Sequence, residues 1–74
     1  MEMINVKSSN IKAIGYDSKT LYVEYKSGDW YEYRSVDKAT YKELLSAKSK
    51  GQYMNYHIKP NYVCKKLFKG FVAK

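Results

Sequence analysis

The first half of the chain alternates between apolar and polar residues, with the two-residue period that is typical of β-strands. Strands are predicted over 4–6, 10–17, 20–26 and 30–35, and the polar run SSN separates the first two. Gly15 lies inside the second of them, where an isolated glycine indicates a bulge or a close approach of another backbone. This half of the molecule is therefore expected to form a small sheet.

The loop between the third and fourth predicted strands decides which side chains face the core. A two-residue loop at Ser27 and Gly28 would align the apolar residues of the third strand with Trp30. An odd-length loop, in which Gly28 takes the left-handed position beside a bulge, aligns them with Tyr31 and Tyr33 instead. We predict the odd loop because it produces one apolar face. That face carries Leu21, Val23 and Tyr25 of the third strand, and the wetter face carries Tyr22, Glu24, Trp30, Glu32 and Arg34.

After residue 36 the period changes to that of a helix. Asp37 is the expected N-cap of a first helix. Ser49 and Gln52 form a Ser-x-x-Gln capping box that begins a second helix, which ends near Ile58, before Pro60. The apolar positions of the first helix have helical spacing: Tyr41, Leu44, Leu45 and the stem of Lys48.

The second helix and the segment after it complete the predicted fold. Met54 and Ile58 are expected to pack on the sheet, which leaves Tyr53 partly exposed and Tyr56 more fully exposed. Residues 61–68 alternate well enough for a final edge strand, and 69–74 are expected to fray. The pattern predicts one α+β domain over residues 1–74. It consists of a small antiparallel sheet of three to four strands followed by two short helices, with a candidate C-terminal edge strand.

The composition predicts a thin core. The chain has 74 residues, with nine Tyr against two Phe and one Trp. A tyrosine packs its ring but keeps a hydroxyl that needs water or a partner, so some rings are expected to reach the surface, where a partner or a second copy would cover them. The one cysteine, Cys64, excludes an internal disulfide. No stretch approaches the roughly 20 apolar residues of a membrane span, and we expect a reducing, cytoplasmic setting.

Charge is distributed unevenly along the chain. Residues 1–43 hold seven basic and seven acidic residues, whereas residues 44–74 hold seven lysines and no acid. The net charge of +7 therefore belongs to the second segment. Such an asymmetry indicates a polyanionic partner, and the alternative is a solvated lysine-rich face that keeps a small protein soluble.

These segments together resemble the KTSC domain, a small module named for its occurrence at the C-terminus of some lysyl-tRNA synthetases. It also occurs as a free-standing short protein in bacteria and phages. The similar segments are SSNIKAIGYD, LYVEYKSGDWYEYRSV and YKELLSAKSKGQYMNYHIKPNY, within residues 8–62. Their distinctive parts are the Ser-Lys-Gly-x-Tyr-x-Asn-x-x-Ile run at 49–58 and the Gly-x-x-Tyr-x-Tyr run at 28–33. The resemblance implies no established catalytic activity and an RNA-related or nucleic-acid-related role.

The chain departs from the family pattern at three places. Val36-Asp37 stands where the family's first helix usually opens with Val-Pro, and Met54 stands where a phenylalanine is typical. The tail from Val63 onward is less similar to the family, although it carries four of the seven lysines of the acid-free segment.

Nothing in the sequence indicates catalysis. His57 and Cys64 are the only histidine and cysteine, and no acid follows residue 43 to orient a dyad of the two. They cannot supply the four ligands of a structural zinc site, and no glycine-rich phosphate-binding motif is present. We expect His57 on a half-buried helix face near Tyr53 and Cys64 as a small hydrophobe. The sequence thus predicts no enzyme, no metal and no cofactor.

Binding of RNA or single-stranded DNA is favoured first by the start of the second helix. Lys48 and Lys50 flank Gly51 there, and a helix N-terminus favours an anion that Gly51 would allow to approach closely. The alternative is that Ser49 and Gln52 cap each other and leave no donor for a ligand.

Two further features favour the same partner. Trp30 and Tyr22, with Arg34 nearby, are candidates to stack bases on the outer face of the sheet. The alternative is that the second helix or the tail covers Trp30, and two glutamates on that face repel phosphate. In the acid-free tail, lysines surround two aromatic rings, and a solvated tail is the alternative. These lysines are Lys59, Lys65, Lys66 and Lys69, and exposed Tyr56 adds another stacking aromatic.

Two other functions remain open from the sequence. One is a protein-interaction module whose basic and aromatic surface docks an acidic patch of a larger protein, such as a synthetase or a host factor of a phage. The other is a homodimer whose interface uses Trp30.

Overall fold

The computed structural model describes residues 3–67 of the chain. Helix α1 spans Lys38–Ser46, helix α2 spans Lys50–Tyr53, and a π-helical turn over Met54–Ile58 continues α2 directly. The predicted tail 69–74, with Lys69, and the last residue of the predicted edge strand lie outside the described residues. The strands are β1 Met3–Asn5, β2 Ile11–Asp17, β3 Thr20–Tyr25, β4 Trp30–Tyr33 and β5 Cys64–Leu67.

The strands form one antiparallel sheet whose order in space is their order in the chain, β1-β2-β3-β4-β5. Both helices are inserted between β4 and β5, so the chain returns after them to add β5 beside β4. The predicted α+β class and the predicted C-terminal edge strand are confirmed. Within residues 3–67 the sheet has five strands, because β5 joins the four strands of the first half.

The predicted register of the β3–β4 hairpin is confirmed. Leu21 lies opposite Tyr33 and Val23 opposite Tyr31. The Tyr25 amide donates to the Asp29 carbonyl at 2.9 Å, which closes a three-residue loop, and Gly28 has a φ of 95° within it. Glycine adopts this left-handed conformation without steric cost, and this is why the odd-length loop forms here.

The β2–β3 hairpin has a two-residue turn, unlike the three-residue loop of the β3–β4 hairpin. Asp17 lies opposite Thr20, so that Ser18 and Lys19 form a two-residue turn with φ values of 49° and 65°. Positive φ at both central residues defines a type I′ turn, which matches the twist of the flanking strands. Neither residue is a glycine, and the left-handed conformation therefore costs free energy at both positions.

The bulge of β2 is not at Gly15, where a bulge or a close backbone approach was predicted, but three residues earlier in the strand. Ile11 lies opposite Tyr25 and Ala13 opposite Glu24, so the register shifts at Lys12 between them. In a regular strand Ile11 and Ile14, three residues apart, would point to opposite faces. The extra residue at Lys12 brings both isoleucines to the face that the helices cover, where both are fully buried.

The core lies between that face of the sheet and the helices. Met54 and Ile58 are buried there, as predicted, while Tyr53 is half-buried and Tyr56 is 70% exposed. The Tyr16 and Tyr41 rings stack at a centroid distance of 4.7 Å and join β2 to α1. The Tyr16 hydroxyl donates to the Val36 carbonyl at 2.6 Å. The buried core residues are Ile11, Ile14, Leu21, Val23, Tyr33, Val36, Leu44, Met54 and Ile58.

The junction of the helices contains half of the predicted capping box and one contact that the sequence did not indicate. The Ser49 hydroxyl accepts from the Gln52 amide at 3.3 Å, as a cap requires. The Lys50 ammonium donates to the Ala47 carbonyl at 2.9 Å, at the C-terminal end of α1, where a cation is favoured by the helix dipole. Asp37 occupies the N-cap position of α1 as predicted, without a side-chain capping hydrogen bond.

Trp30 faces outward as the predicted register requires, but that face is not wet at this position: of the two alternatives left open for its ring, the one in which the tail covers it is confirmed. Trp30 is only 7% exposed, although its side chain lies on the sheet face opposite the helices. Leu67 of β5 is its direct cross-strand neighbour, and Glu32 on the same face is also buried. The added strand β5 thus makes β4 a central strand, whose side chains have neighbours on both sides.

Candidate functional site

Three depressions beside α2 and the β4–β5 corner adjoin one another through shared lining residues, and together we call them the groove. Individually, we name them the tyrosine cleft, the middle depression and the Tyr56 depression. The tyrosine cleft and the middle depression share Tyr25 and Lys59 as a common rim. The middle depression and the Tyr56 depression share Ser49 and Gln52. A ligand of extended shape can therefore contact all three in sequence.

The tyrosine cleft has a volume of about 490 Å³. It lies on the helix-covered face of the sheet, at the corner that the helices leave open, because Tyr25 and Tyr31 are only half-buried and Cys64 is exposed. The Tyr25 and Tyr31 rings meet edge to face at 5.5 Å and 89°. The residues lining the cleft are Tyr25, Ser27, Asp29, Tyr31, Tyr33, Lys59 and Cys64.

Charged groups of both signs border the tyrosine cleft. The Lys59 ammonium lies 6.0 Å from the centre of the Tyr25 ring, at the outer limit of a cation–π contact. The Asp29 carboxylate accepts from the Ser27 hydroxyl at 3.1 Å and lies 3.9 Å from the Lys66 ammonium. Two lysines therefore accompany one carboxylate, and the rim of the cleft carries a net positive charge.

Burial perturbs two tyrosine hydroxyls of the cleft. It raises the pKa of Tyr25, and a hydrogen bond with Tyr33 acts in the opposite direction. It also raises the pKa of Tyr33, and the neighbouring Tyr25 and Cys64 add to that increase. Both phenols therefore remain neutral donors and acceptors at neutral pH.

The middle depression, of about 290 Å³, is lined in part by Gly51, where the sequence predicted the close approach of an anion. A Cβ added at Gly51 would meet no atom within 4 Å, so the backbone there is open to a ligand. Polar side chains of the β1–β2 loop, of α2 with its N-cap and of the π-helical turn surround it: Ser9, Asn10, Ser49, Gln52 and Asn55.

The Tyr56 depression, of about 260 Å³, brings together two predicted site residues, Lys48 and Tyr56. His57 also lines it and contacts the Tyr53 ring at a centroid distance of 4.7 Å. His57 is exposed rather than half-buried, because Met54 and Ile58 take the inward positions of the helix.

The remaining predicted site residues that the structure describes do not line the three depressions. Lys66 lies opposite Tyr31 and so belongs to the cleft face, whereas Lys65 lies opposite Glu32 on the other face. Arg34 donates from Nε to the Glu32 carboxylate at 3.2 Å. Tyr22 also lies on that other face, opposite Glu32, and Lys50 contacts α1 as described above. A stacking platform of Trp30 with Tyr22 is not formed, because the Trp30 ring is buried.

Sequence reasoning assigned Tyr25, Tyr31 and Tyr33 to the core and missed the cleft that they line. Their inward direction was right, but the helices do not extend over the whole face. The sequence did contain a signal for the cleft: three successive inward positions are tyrosines, and an apolar core does not need their hydroxyls. Cys64, expected as a small hydrophobe, is exposed because β5 lies at the edge of the sheet.

The two groups that a catalytic dyad would need line different depressions. Cys64 belongs to the tyrosine cleft and His57 to the Tyr56 depression. Within residues 3–67, no cluster of three or more His, Cys, Asp or Glu side chains has the arrangement of a metal site. The same part of the chain contains no helix of the length and apolar character that crossing a membrane requires.

Several known proteins are similar to this chain in sequence or in structure. The model of the KTSC domain family matches residues 7–62. The crystal structure of a KTSC domain protein from Yersinia pestis superimposes with a TM-score of 0.85 at 30% identity, over 90% of this chain and 97% of that one. An uncharacterized protein from Stutzerimonas stutzeri is 34% identical over 64 residues, which cover 84% of this chain and 90% of the relative.

The chain is also similar to part of a larger enzyme. A lysine–tRNA ligase from Nostoc punctiforme is 37% identical over 62 residues, which cover 81% of this chain but only 11% of the ligase. The similarity therefore concerns a small part of the ligase.

Proposed function

The chain belongs to the KTSC domain family, and we propose that it is a non-catalytic module that binds single-stranded nucleic acid along the groove. The partner is RNA or single-stranded DNA, held mainly through its phosphates. The observation that carries the proposal is the adjacency of the three depressions, whose lining residues include both lysines and tyrosine rings.

The charge of the groove supports this proposal. The charged residues that line it are Lys48, Lys59 and Asp29. Lys48 and Lys59 line different depressions, and Lys66 offsets the negative charge of Asp29. Phosphate contacts supply most of the affinity of sequence-independent binding, and the cations need only follow the backbone of the strand. The acid-free segment after residue 43 provides these cations.

The aromatic residues of the groove supply the second component. Tyr56 at one end and Tyr25 with Tyr31 at the other present rings that are at least partly exposed. Bases of a single strand stack on such rings, whereas the bases of a duplex are already stacked on one another. The groove thus favours a single strand over a duplex.

The relatives give supporting context. The Nostoc relative is a ligase whose name states tRNA as its substrate, and the region shared with this chain is a small part of it. An RNA partner for the shared region is in keeping with that name. A reducing cytoplasm suits the single free thiol at Cys64.

A titration against salt tests the proposal. Fluorescence anisotropy with labelled single-stranded RNA, single-stranded DNA and duplex DNA measures affinity at several salt concentrations. With about four phosphate contacts, the logarithm of the association constant should fall against the logarithm of salt with a slope of roughly −3. Absence of binding to any of the three at low salt would refute the proposal.

A pull-down distinguishes the protein-interaction alternative. An acidic protein partner would remain bound after nuclease treatment of the lysate, whereas a nucleic-acid partner would not. The observation that favours the alternative is Val63, which is 79% exposed beside Tyr62 and Arg34 in a depression outside the groove. Light scattering in the same buffer tests the dimer, which the burial of Trp30 makes less favourable through that ring.

A further inference from the structure

We infer that the tyrosine cleft is a subsite for one unstacked guanine nucleotide. The base lies against the rings of Tyr25 and Tyr31 and donates hydrogen bonds to the Asp29 carboxylate. The phosphate of the nucleotide contacts Lys59. This inference rests on the proposed function, because it names the base that the groove selects, and it assigns sequence preference to a surface otherwise directed at phosphate.

The dimensions of the cleft suit a single base. Its volume of about 490 Å³ lies within the roughly 300–1,000 Å³ of typical small-ligand sites. The perpendicular arrangement of the Tyr25 and Tyr31 rings gives a floor for stacking and a wall at its edge. A planar aromatic ligand has the shape that this corner accepts, and base–tyrosine stacking is the usual way in which proteins hold an unpaired base.

The carboxylate determines which base is preferred. An ionised Asp29 only accepts hydrogen bonds, and it has about four lone-pair positions. The Ser27 hydroxyl occupies one of them, and the Lys66 ammonium at 3.9 Å neutralises the charge without a close hydrogen bond. Capacity remains for two donors from a ligand.

Guanine is the base that presents two adjacent donors, N1–H and N2–H₂, on its Watson–Crick edge. Adenine and cytosine each place a ring acceptor beside their single amino group, and that acceptor repels a carboxylate. Uracil and thymine flank their one N–H with two carbonyl oxygens, which repel it as well. An acceptor-only group at the edge of a stacking site therefore selects guanine.

Lys59 completes the subsite. Its ammonium lies over the Tyr25 ring at 6.0 Å and stands on the rim shared with the middle depression. The phosphate of a nucleotide whose base lies in the cleft is expected at this rim, and the strand then continues toward Gly51. The order of base, phosphate and next nucleotide thus follows the order of the depressions.

The test uses labelled heptanucleotides that differ in one central base: U3GU3, U3AU3 and U3IU3, where inosine lacks the 2-amino group of guanine. We expect anisotropy titrations of the full chain to show about tenfold tighter binding of the guanine oligonucleotide than of the adenine one, with inosine between them. Equal binding of all three would overturn the guanine subsite and leave the proposed function standing. Absence of binding to all three would overturn both.

Two variants make the assignment specific to the cleft. Asp29→Asn should lose the preference for guanine while it keeps salt-dependent binding of the adenine oligonucleotide. Tyr31→Ala should weaken the guanine oligonucleotide more than Tyr31→Phe, which keeps the ring. Thermal melting shows that each variant is folded, and a preference retained by Asp29→Asn would overturn the role of the carboxylate.

Guanosine monophosphate separates a free nucleotide from a nucleotide within a strand. If it displaces the labelled guanine oligonucleotide with an affinity similar to that of the strand, the subsite serves a free nucleotide. If it competes at least tenfold more weakly than the unlabelled oligonucleotide, the subsite serves a base within a strand. Failure of both competitors to displace the label would overturn the subsite.

Discussion

The side chains of Lys65 and Lys66 point to opposite faces of the sheet, because they are consecutive residues of β5. Lys66 lies opposite Tyr31 on the cleft face, whereas Lys65 lies opposite Glu32 on the other face. Both ammonium groups carry the same charge on the same strand. Replacing one lysine or the other therefore tests whether ligand binding depends on where a charge lies or only on the net charge of the protein.

Lys66→Ala should weaken the binding of single-stranded nucleic acid and make the salt slope shallower, because the Asp29 carboxylate of the cleft would repel phosphates without the cation that now offsets its charge. Lys65→Ala removes the same charge from the other face and should leave the slope unchanged. Anisotropy titrations at several salt concentrations measure both. Equal losses from the two variants would mean that binding follows the net charge of the molecule and not the groove.

Gly51→Ala should stabilise the protein while it weakens ligand binding. The new methyl group meets no atom within 4 Å, and alanine is the better helix former by up to about 1 kcal/mol. The same methyl group would stand in the open space beside Gly51, which lines the middle depression, and there we expect it to reduce affinity about fivefold, or by about 1 kcal/mol. Urea denaturation and anisotropy measure the two effects.

Ser46→Ala is the control for that substitution, because it also replaces an exposed helix residue by the better helix former alanine, but in α1, outside the three depressions. An unchanged affinity of the Gly51→Ala variant would show that no ligand approaches the backbone there.

Lys19→Gly should raise the free energy of unfolding by about 0.5–1 kcal/mol. Lys19 has a φ of 65° in the type I′ turn, and glycine removes the steric cost of that conformation. The greater freedom of glycine in the unfolded chain offsets part of the gain. Lys19→Ala removes the same charge but keeps the Cβ atom, so it should bring no stabilisation; urea denaturation compares the two.

Stability should decrease at alkaline pH. Burial raises the pKa of Tyr25 and of Tyr33 above the ordinary value of about 10, so the folded state holds protons that the unfolded state releases. Their contribution is complete below the unfolded pKa and is lost as the pH rises toward the folded pKa. Urea denaturation between about pH 9 and pH 11.5, with phenolate absorbance, measures this loss.

Tyr33→Phe should make the alkaline decrease in stability shallower, since one of the two raised groups is absent. Tyr56→Phe changes an exposed ring and serves as the matched control. A decrease that is equally steep in the Tyr33→Phe variant would assign the effect to other groups.

Local signals in the sequence were sufficient for much of the fold. Gly28 fixed the parity of the β3–β4 loop, and with it the inward direction of Tyr31 and Tyr33. Ser49 marked the start of α2, and the spacing of Met54 and Ile58 gave the buried side of the second helix. In each case the deciding interaction lies within a few residues of the signal.

Features that depend on distant partners were not predictable in the same way. The burial of Trp30 follows from β5, which pairs with β4 only after both helices. The bulge at Lys12 arises because Ile11 and Ile14 must both reach the helices, a requirement that appears only once the layers are packed. The groove was missed for the same reason, since its extent depends on where the helices end over the sheet.

The lysines of β5 have a consequence for the behaviour of the protein at high concentration. In the described part of the chain, β5 is an edge of the sheet, and an edge strand offers its backbone groups to any other extended chain. If two copies paired along this edge, Lys65 and Lys66 of one copy would lie beside the same charges of the other, on both faces at once. Charge repulsion thus opposes edge-to-edge pairing, and neutralising both lysines should make the protein prone to associate with a second copy along β5.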